Sequence, residues 1–283
     1  MKCKLVDVFT QKKLSGNGLT IFYDYKSLNK DEMLSLTQEM RQFESIFVCA
    51  SDNNDSHRAK IFTIEEELDF AGHPIIGLAA HLHDESGKNN QQEWTIELNN
   101  KLVKVKTKKI DTYYHASMNQ GNAEFIYTLN NEDVKEIISS LNLSIENLSI
   151  YPMEVVSTGL PYLIVPITSG IEKAKISIMD FEILLAKFGA KFVYVFDLTT
   201  FEGRTWDNGG LIEDIATGSA AGPTAAYLTK HKLAPYDSTI IISQGRFLGR
   251  ASEIQAYVET KENTVPSIWV SGDVVKVANI EFV

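Results

Sequence analysis

The chain has only two cysteines, Cys3 and Cys49, among 283 residues. That is too few for a disulfide framework, and they lack the paired spacing of a structural zinc site, so no metal is expected. Long apolar runs are also missing. No window approaches the roughly 18 consecutive apolar residues of a membrane-spanning helix, and "MKCKLVDVFTQKK" at the N-terminus lacks the apolar stretch of a secretory leader. These absences predict a cytoplasmic protein with no membrane partner. Positive charge is in deficit, with 27 Lys and Arg against 37 Asp and Glu and a formal net charge of −10. Such a field repels phosphate backbones, and no basic cluster interleaved with aromatics offsets it, which excludes nucleic acid as a partner.

What remains is an ordinary globular composition, 44% hydrophobic and 23% charged, without low-complexity stretches. The length fits two domains at roughly 150 residues each. The chain also repeats itself. "FAGHPIIGLAAHLH" from Phe70 lies over "ATGSAAGPTAAYLT" from Ala216, matching Gly72 to Gly218, Ala79 to Ala225 and Leu82 to Leu228 at an offset of 146. "FESIFVCA" from Phe43 lies over "FGAKFVYV" from Phe188 at 145, and "SGNGLTIF" from Ser15 over "TGLPYLIV" from Thr158 at 143. Three matches in chain order, drifting by three residues, indicate two similar halves.

Each half reads as α+β with strands in the majority. In the first, "KLVDVF", "GLTIFYD", "SIFVCA", "RAKIFT", "WTIELNN" and "KLVKVKT" are strands, the last two joined in a hairpin at Asn99 and Asn100. A helix from about Lys30 is capped by Asn29 with Glu32 at its third position, and aligns Met33, Leu36 and Met40. A second helix is expected with His73 as its N-cap and Pro74 at its first position. It is almost wholly small or apolar, and so is buried among the strands. The second half is expected to hold a helix near "DFEILLAKFG" and a buried one from Ser219.

Histidine is an unusual cap, since short oxygen-bearing side chains serve better. Helix starts carry partial positive charge and unpaired amides, which together attract anions. If the halves are related by a pseudo-twofold axis, the two buried helix starts face one cleft and can hold a small carboxylate. Gly72 and Gly218 would give that ligand access to the backbone, and Thr217 and Ser219 would add hydroxyls or simply cap their helix. Glu44 stands opposite Gly189 in the repeat. A carboxylate at the start of a buried strand is poorly solvated and suits a group that takes and returns a proton, unless it points into water. Asp214 either caps the second helix or shares a proton network with His73.

These residues carry a family resemblance. "VDVFTQKKLSGNGLTIF", "FESIFV", "IFTIEEELDFAGHPIIGLAAHL", "EDIATGSAAGPTAAYL" and "SQGRFLGR" resemble the phenazine-biosynthesis isomerase family, the PhzF-like proteins, across essentially the whole chain. The resemblance implies a diaminopimelate-epimerase-like fold. Its two similar domains, at about 1–118 and 119–283, would each wrap a curved, mostly antiparallel sheet around a central helix, with a final strand near 275–283 crossing back to the first. It also implies isomerisation of a dihydro-hydroxyanthranilate by a proton shift on one glutamate, without metal or organic cofactor, in a homodimer. That glutamate maps onto Glu44, and its accompanying histidine, aspartate and serine map onto His73, Asp214 and Ser219. Ile64, Asp69 and Ile215 stand where the family often has proline, which leaves the proton-transfer groups intact and the substrate open.

Two rivals remain at this level. Racemases and epimerases of the same fold typically place a cysteine at each helix start. Here those starts carry His73 and Ser219, which excludes a two-thiol mechanism and leaves an amino-acid racemase or epimerase with non-thiol bases. A binding protein that kept the cleft and lost activity is the other, against which the joint presence of Glu44, His73 and Asp214 argues.

Overall fold

The computed structural model describes residues 1–51, 56–261 and 264–282. In chain order the first part contains β1 (Lys2–Val8), β2 (Asn17–Tyr23), α1 (Lys30–Met40), β3 (Glu44–Ala50), β4 (Ser56–Thr63), β5 (Glu67–Leu68), α2 (Gly72–Ser86), β6 (Gln92–Glu97), β7 (Leu102–Ile110) and β8 (Tyr113–Gly121). There follow β9 (Glu124–Thr128), α3 (Asn131–Ser140), β10 (Glu154–Ser157), β11 (Pro161–Ile167), α4 (Phe181–Ala186), β12 (Phe192–Asp197), β13 (Glu202–Arg204), α5 (Gly218–Lys230), β14 (Thr239–Gln244), β15 (Ser252–Glu259) and β16 (Ser267–Glu281). The chain is thus α+β with strands dominant. Of the final strand expected at 275–283, Val283 lies outside the described residues.

The chain divides into two compact units, one of Met1–Asn119, Gly249–Glu253 and Ser271–Val283, the other of Gln120–Leu248 and Ile254–Val270. In the first, β1 pairs antiparallel with β2, β2 parallel with β3, β3 antiparallel with β4 and β4 parallel with β6. In the second, the same alternation runs from β10 through β11, β12 and β13 to β14. Each parallel pair is bridged by a helix, because a parallel connection must carry the chain back along the full strand length. The bridging helices are α1 and α2 in one unit, α4 and α5 in the other.

Local signals explain most of the helix ends. Asn29 accepts from the Glu32 amide at 3.0 Å while Glu32 accepts from the Asn29 amide at 2.8 Å, the reciprocal cap read from the sequence. Helix α3 was not among the expected elements, although its cap is written in the chain: Asn130 accepts from the amides of Glu132 and Asp133. Its Ile137 and Ile138 join the second unit's core with Phe181, Leu185 and Val195.

Two helix starts differ from expectation. Helix α2 begins at Gly72 with Ala71 as N-cap, so His73 is its second residue and Pro74 its third. Proline fits there because the first four amides of a helix have no intrahelical acceptor, so a missing N–H costs nothing. Helix α5 begins at Gly218, one residue early, with Thr217 as N-cap and Pro223 inside it. Helix α2 is buried from Gly72 through His81 and packs on β1, β2, β3, β6 and β7. Gly77 permits this approach, since a Cβ there would lie 2.5 Å from Leu19 Cδ2.

Candidate active site

Glu44 opens β3, where its backbone pairs with Leu19 on one side and Thr63 on the other. Its residue is 6% exposed, so the carboxylate is in the interior and not in solvent. His73, 3% exposed, arrives from the second position of α2. Its Nδ1 lies 3.0 Å from Glu44 Oε2 and 3.5 Å from Asn17 Nδ2. Two residues widely separated in sequence thus form a buried acid–imidazole pair inside one unit. The two atoms are within ion-pair distance, but Glu44 Oε2 makes no hydrogen bond of good geometry among the described residues, so the contact is a close approach of acid and imidazole. Ala71, the N-cap of α2, has no side-chain oxygen with which to cap the helix.

The second unit builds its helix start differently. Thr217 is the N-cap of α5, but its side chain makes no capping hydrogen bond. Its hydroxyl donates instead to Asp214 Oδ2 at 2.5 Å, and the Ala216 amide reaches Asp214 Oδ1 at 3.4 Å. Asp214 therefore organises the loop before the helix. Ser219 Oγ shares a 2.7 Å hydrogen bond with the Tyr162 hydroxyl, and the carbonyl of Gly218 accepts from Gln120 at 2.9 Å. Gln244 of β14, 1% exposed, accepts from the Thr217 amide at 3.2 Å and donates to the Asp214 carbonyl at 2.8 Å and to Thr217 Oγ1 at 3.0 Å. The Glu213 carboxylate is gripped by the Nε and terminal nitrogen of Arg204 at 2.8 and 2.6 Å, which pins the chain one residue before Asp214.

Of the residues singled out from the sequence, Glu44, Gly72 and His73 belong to the first unit and Asp214, Thr217, Gly218 and Ser219 to the second. Asn17, Tyr162 and Gln244 were not singled out. Asn17 and Gln244 sit in strings that carried the family resemblance, "SGNGLTIF" and "SQGRFLGR", and a polar residue inside an apolar strand was the available signal. Cys3 and Cys49 are buried in β1 and β3, and burial pushes the Cys3 thiol up to about 11. Among the described residues His81, Asp84 and Glu85 bring ligand atoms within 4.8 Å of one another. Their charge is already answered, because Lys276 lies 2.9 Å from Asp84 and Lys4 3.1 Å from Glu85.

Residues 6–279 match the phenazine biosynthesis-like protein family. The chain belongs to this family. A trans-2,3-dihydro-3-hydroxyanthranilate isomerase from Pseudomonas aeruginosa is 30% identical, with 95% of this chain and 94% of that protein covered. A structure described as a predicted epimerase, also from Pseudomonas aeruginosa, superposes with a TM-score of 0.95 at 43% identity over 100% of this chain and 99% of that one. At fold level the likeness extends to a probable proline racemase from Agrobacterium radiobacter, with TM-score 0.65 and 14% identity over 100% of this chain and 92% of that one. Within the phenazine biosynthesis-like family, this chain is an isomerase.

Proposed function

We propose that the chain is a cofactor-independent isomerase that moves a proton on a small carboxylate-bearing substrate, with Glu44 as the single acid/base. The observation that carries this is the buried contact of 3.0 Å between Glu44 Oε2 and His73 Nδ1. As a carboxylate, Glu44 takes a proton from a substrate carbon, and the electron pair left behind spreads into an adjoining π system. Glu44, now protonated, delivers the same proton to a second carbon on the same face. His73, 3.0 Å away, is near enough to donate to the carboxylate form and to accept from the acid form once the two groups align, in a site where an unpaired charge is costly. The positive end of α2, at Gly72, suits the substrate carboxylate. On this reading Thr217, Gly218 and Ser219 hold the substrate from the second half, and Asp214 orients them. The five-motif resemblance supports this use of both halves, each a curved sheet around its helix, and supports a cytoplasmic homodimer.

The relative that acts on trans-2,3-dihydro-3-hydroxyanthranilate supports a dihydroaromatic carboxylate as the substrate class. An epimerase that works with two thiols is disfavoured, because both cysteines are buried in strands and neither stands at a helix start. The test is incubation with dihydroaromatic amino carboxylates in deuterium oxide. Isomerisation with partial solvent deuterium uptake is the expected result, abolished in Glu44→Gln. An active Glu44→Gln protein, or inactivation by Cys49→Ala, overturns the assignment.

A further inference from the structure

Gln244 lies at the end of β14, in the string "SQGRFLGR", with every polar atom of its side-chain amide engaged. Its Oε1 accepts from the Thr217 backbone amide at 3.2 Å and from the Tyr194 hydroxyl at 3.0 Å. Its Nε2 donates to the Asp214 carbonyl at 2.8 Å and to Thr217 Oγ1 at 3.0 Å. A backbone N–H can only donate and a carbonyl can only accept, so these two contacts allow one orientation of the amide. The reverse orientation would face an NH2 group against an N–H and an oxygen against an oxygen.

That orientation propagates. With one lone pair of Thr217 Oγ1 taken by Gln244, the hydroxyl proton turns to Asp214 Oδ2, the acceptor at 2.5 Å. A directed chain results, from the Gln244 amide through the Thr217 hydroxyl to the Asp214 carboxylate. It lies in a buried network, with Thr217 and Asp214 each 6% exposed and Tyr194 fully buried. Tyr194 is held rigidly because its ring passes over Gly203, where a Cβ would lie 2.0 Å from the phenolic oxygen.

We infer that Gln244 is a positioning residue, which fixes the Thr217 hydroxyl as a donor and thereby keeps Asp214 an acceptor with a fixed orientation beside the α5 start. This deepens the function proposed above and rests on it only in giving Asp214 a part in the reaction. The direction of the chain is a property of the protein without substrate.

The test is a titration of the Asp214 side-chain carboxyl carbon, followed by NMR in full-length protein without substrate. Replacing Gln244 by Leu removes the donor that orders Thr217, and the Asp214 midpoint is expected to rise by about one pH unit relative to wild type. Thr217→Val should give a rise of the same size, and adding Gln244→Leu to Thr217→Val should add little, because both act through one hydroxyl. Thr217→Ser, which keeps the hydroxyl, should restore the wild-type midpoint. Tyr194→Phe should move it by much less, since the Thr217 amide and Asp214 carbonyl still orient Gln244. A folded Gln244→Leu protein with a wild-type Asp214 midpoint overturns the inference. If that variant does not fold, equal midpoints in Thr217→Val and Thr217→Ser overturn it. Failure to find any turnover bears on the proposed function and leaves this titration unaffected.

Discussion

At the end of α2 the strand β1 supplies a cation, Lys4, and the helix supplies two anions, Asp84 and Glu85. At the end of α5 the strand β10 supplies an anion, Glu154, and the helix two bases, Lys230 and His231, each 2.8 Å from it. The positions correspond in the repeat. Lys4 pairs across the sheet with Ile21 and Glu154 with Ile164, 143 residues later (164 − 21), while Asp84 and Glu85 precede Lys230 and His231 by 146 (230 − 84). The repeat therefore retains a tie between helix end and strand but not its sign. Each tie is satisfied within its own half, so either sign serves. The two are not equal in strength, because the negative end of a helix favours cations. The end of α5 carries bases and gains from the dipole. The end of α2 carries acids and needs both Lys4 and Lys276.

The helix starts differ in another way. In the first half a pair able to pass a proton stands there, Glu44 with His73, whereas in the second the carboxylate of Asp214 is tied to the hydroxyl of Thr217. On the function proposed above, the first start exchanges a proton with the substrate and the second orients it.

Breaking this asymmetry should have its largest effect at Glu44. Glu44→Gln preserves shape but cannot cycle a proton, so turnover on the isomerised substrate should fall by about a hundred- to ten-thousand-fold with binding nearly intact. Steady-state kinetics beside a ligand titration measure both. A smaller effect separates the helix bodies. Burial pushes the ring of His81 down to about 4, while its counterpart in the repeat, Tyr227 (81 + 146), stays uncharged throughout the acid range. For a base whose folded value is depressed, the unfolded chain binds the proton more readily. Stability is therefore fully present above about pH 6.5 and is lost as pH falls toward 4, by roughly 3 kcal/mol in total. Urea unfolding at neutral pH and near pH 4.5 should show this loss, and His81→Gln, which can still bond the Tyr23 hydroxyl, should flatten it.

The helix ends come next. Against the desolvation of burial, bonds from Lys230, His231 and Thr128 hold the Glu154 carboxyl below its usual range. Glu154→Gln should destabilise by about 1–2 kcal/mol, a figure reduced because Lys230 is 41% exposed and can turn to water. Glu85→Gln, at a side chain 52% exposed, should cost at most about 0.5 kcal/mol. A larger cost for Glu85→Gln than for Glu154→Gln in urea titrations would reverse the ranking. The smallest effect concerns the thiols. Cys3→Ala and Cys49→Ala should leave turnover at the wild-type level in the same kinetic assay, because neither sulfur stands at a helix start.

Much of this was legible in the chain. The alternation of short apolar strands with two helices in each half, one of them rich in small residues, and the Asn29–Glu32 cap, depend on neighbours a few residues apart, and local physics decides them. Glu44 stood out because a carboxylate interrupts an apolar strand, and His73 because it sits between Gly72 and Pro74. The start of α2 was misplaced by two residues for a reason that lies in the backbone: proline suits any position of the first turn, so Pro74 marks the turn without marking its first residue. Helix α3 went unread although Asn130 announced it, since its short apolar face did not recur in the other half.

The sequence by itself determined the elements, the duplication and the two strings that open the buried helices, because these follow from periodicity, capping and spacing along the chain. Only the tertiary structure decided that Glu44 touches His73 and that Gln244 reaches Thr217 and Asp214. Such contacts join residues about 30 positions apart through strand register and helix rotation. A one-residue slip in β3 or β14 would turn Glu44 or Gln244 to the opposite face of its strand, and nothing local in the chain records that choice.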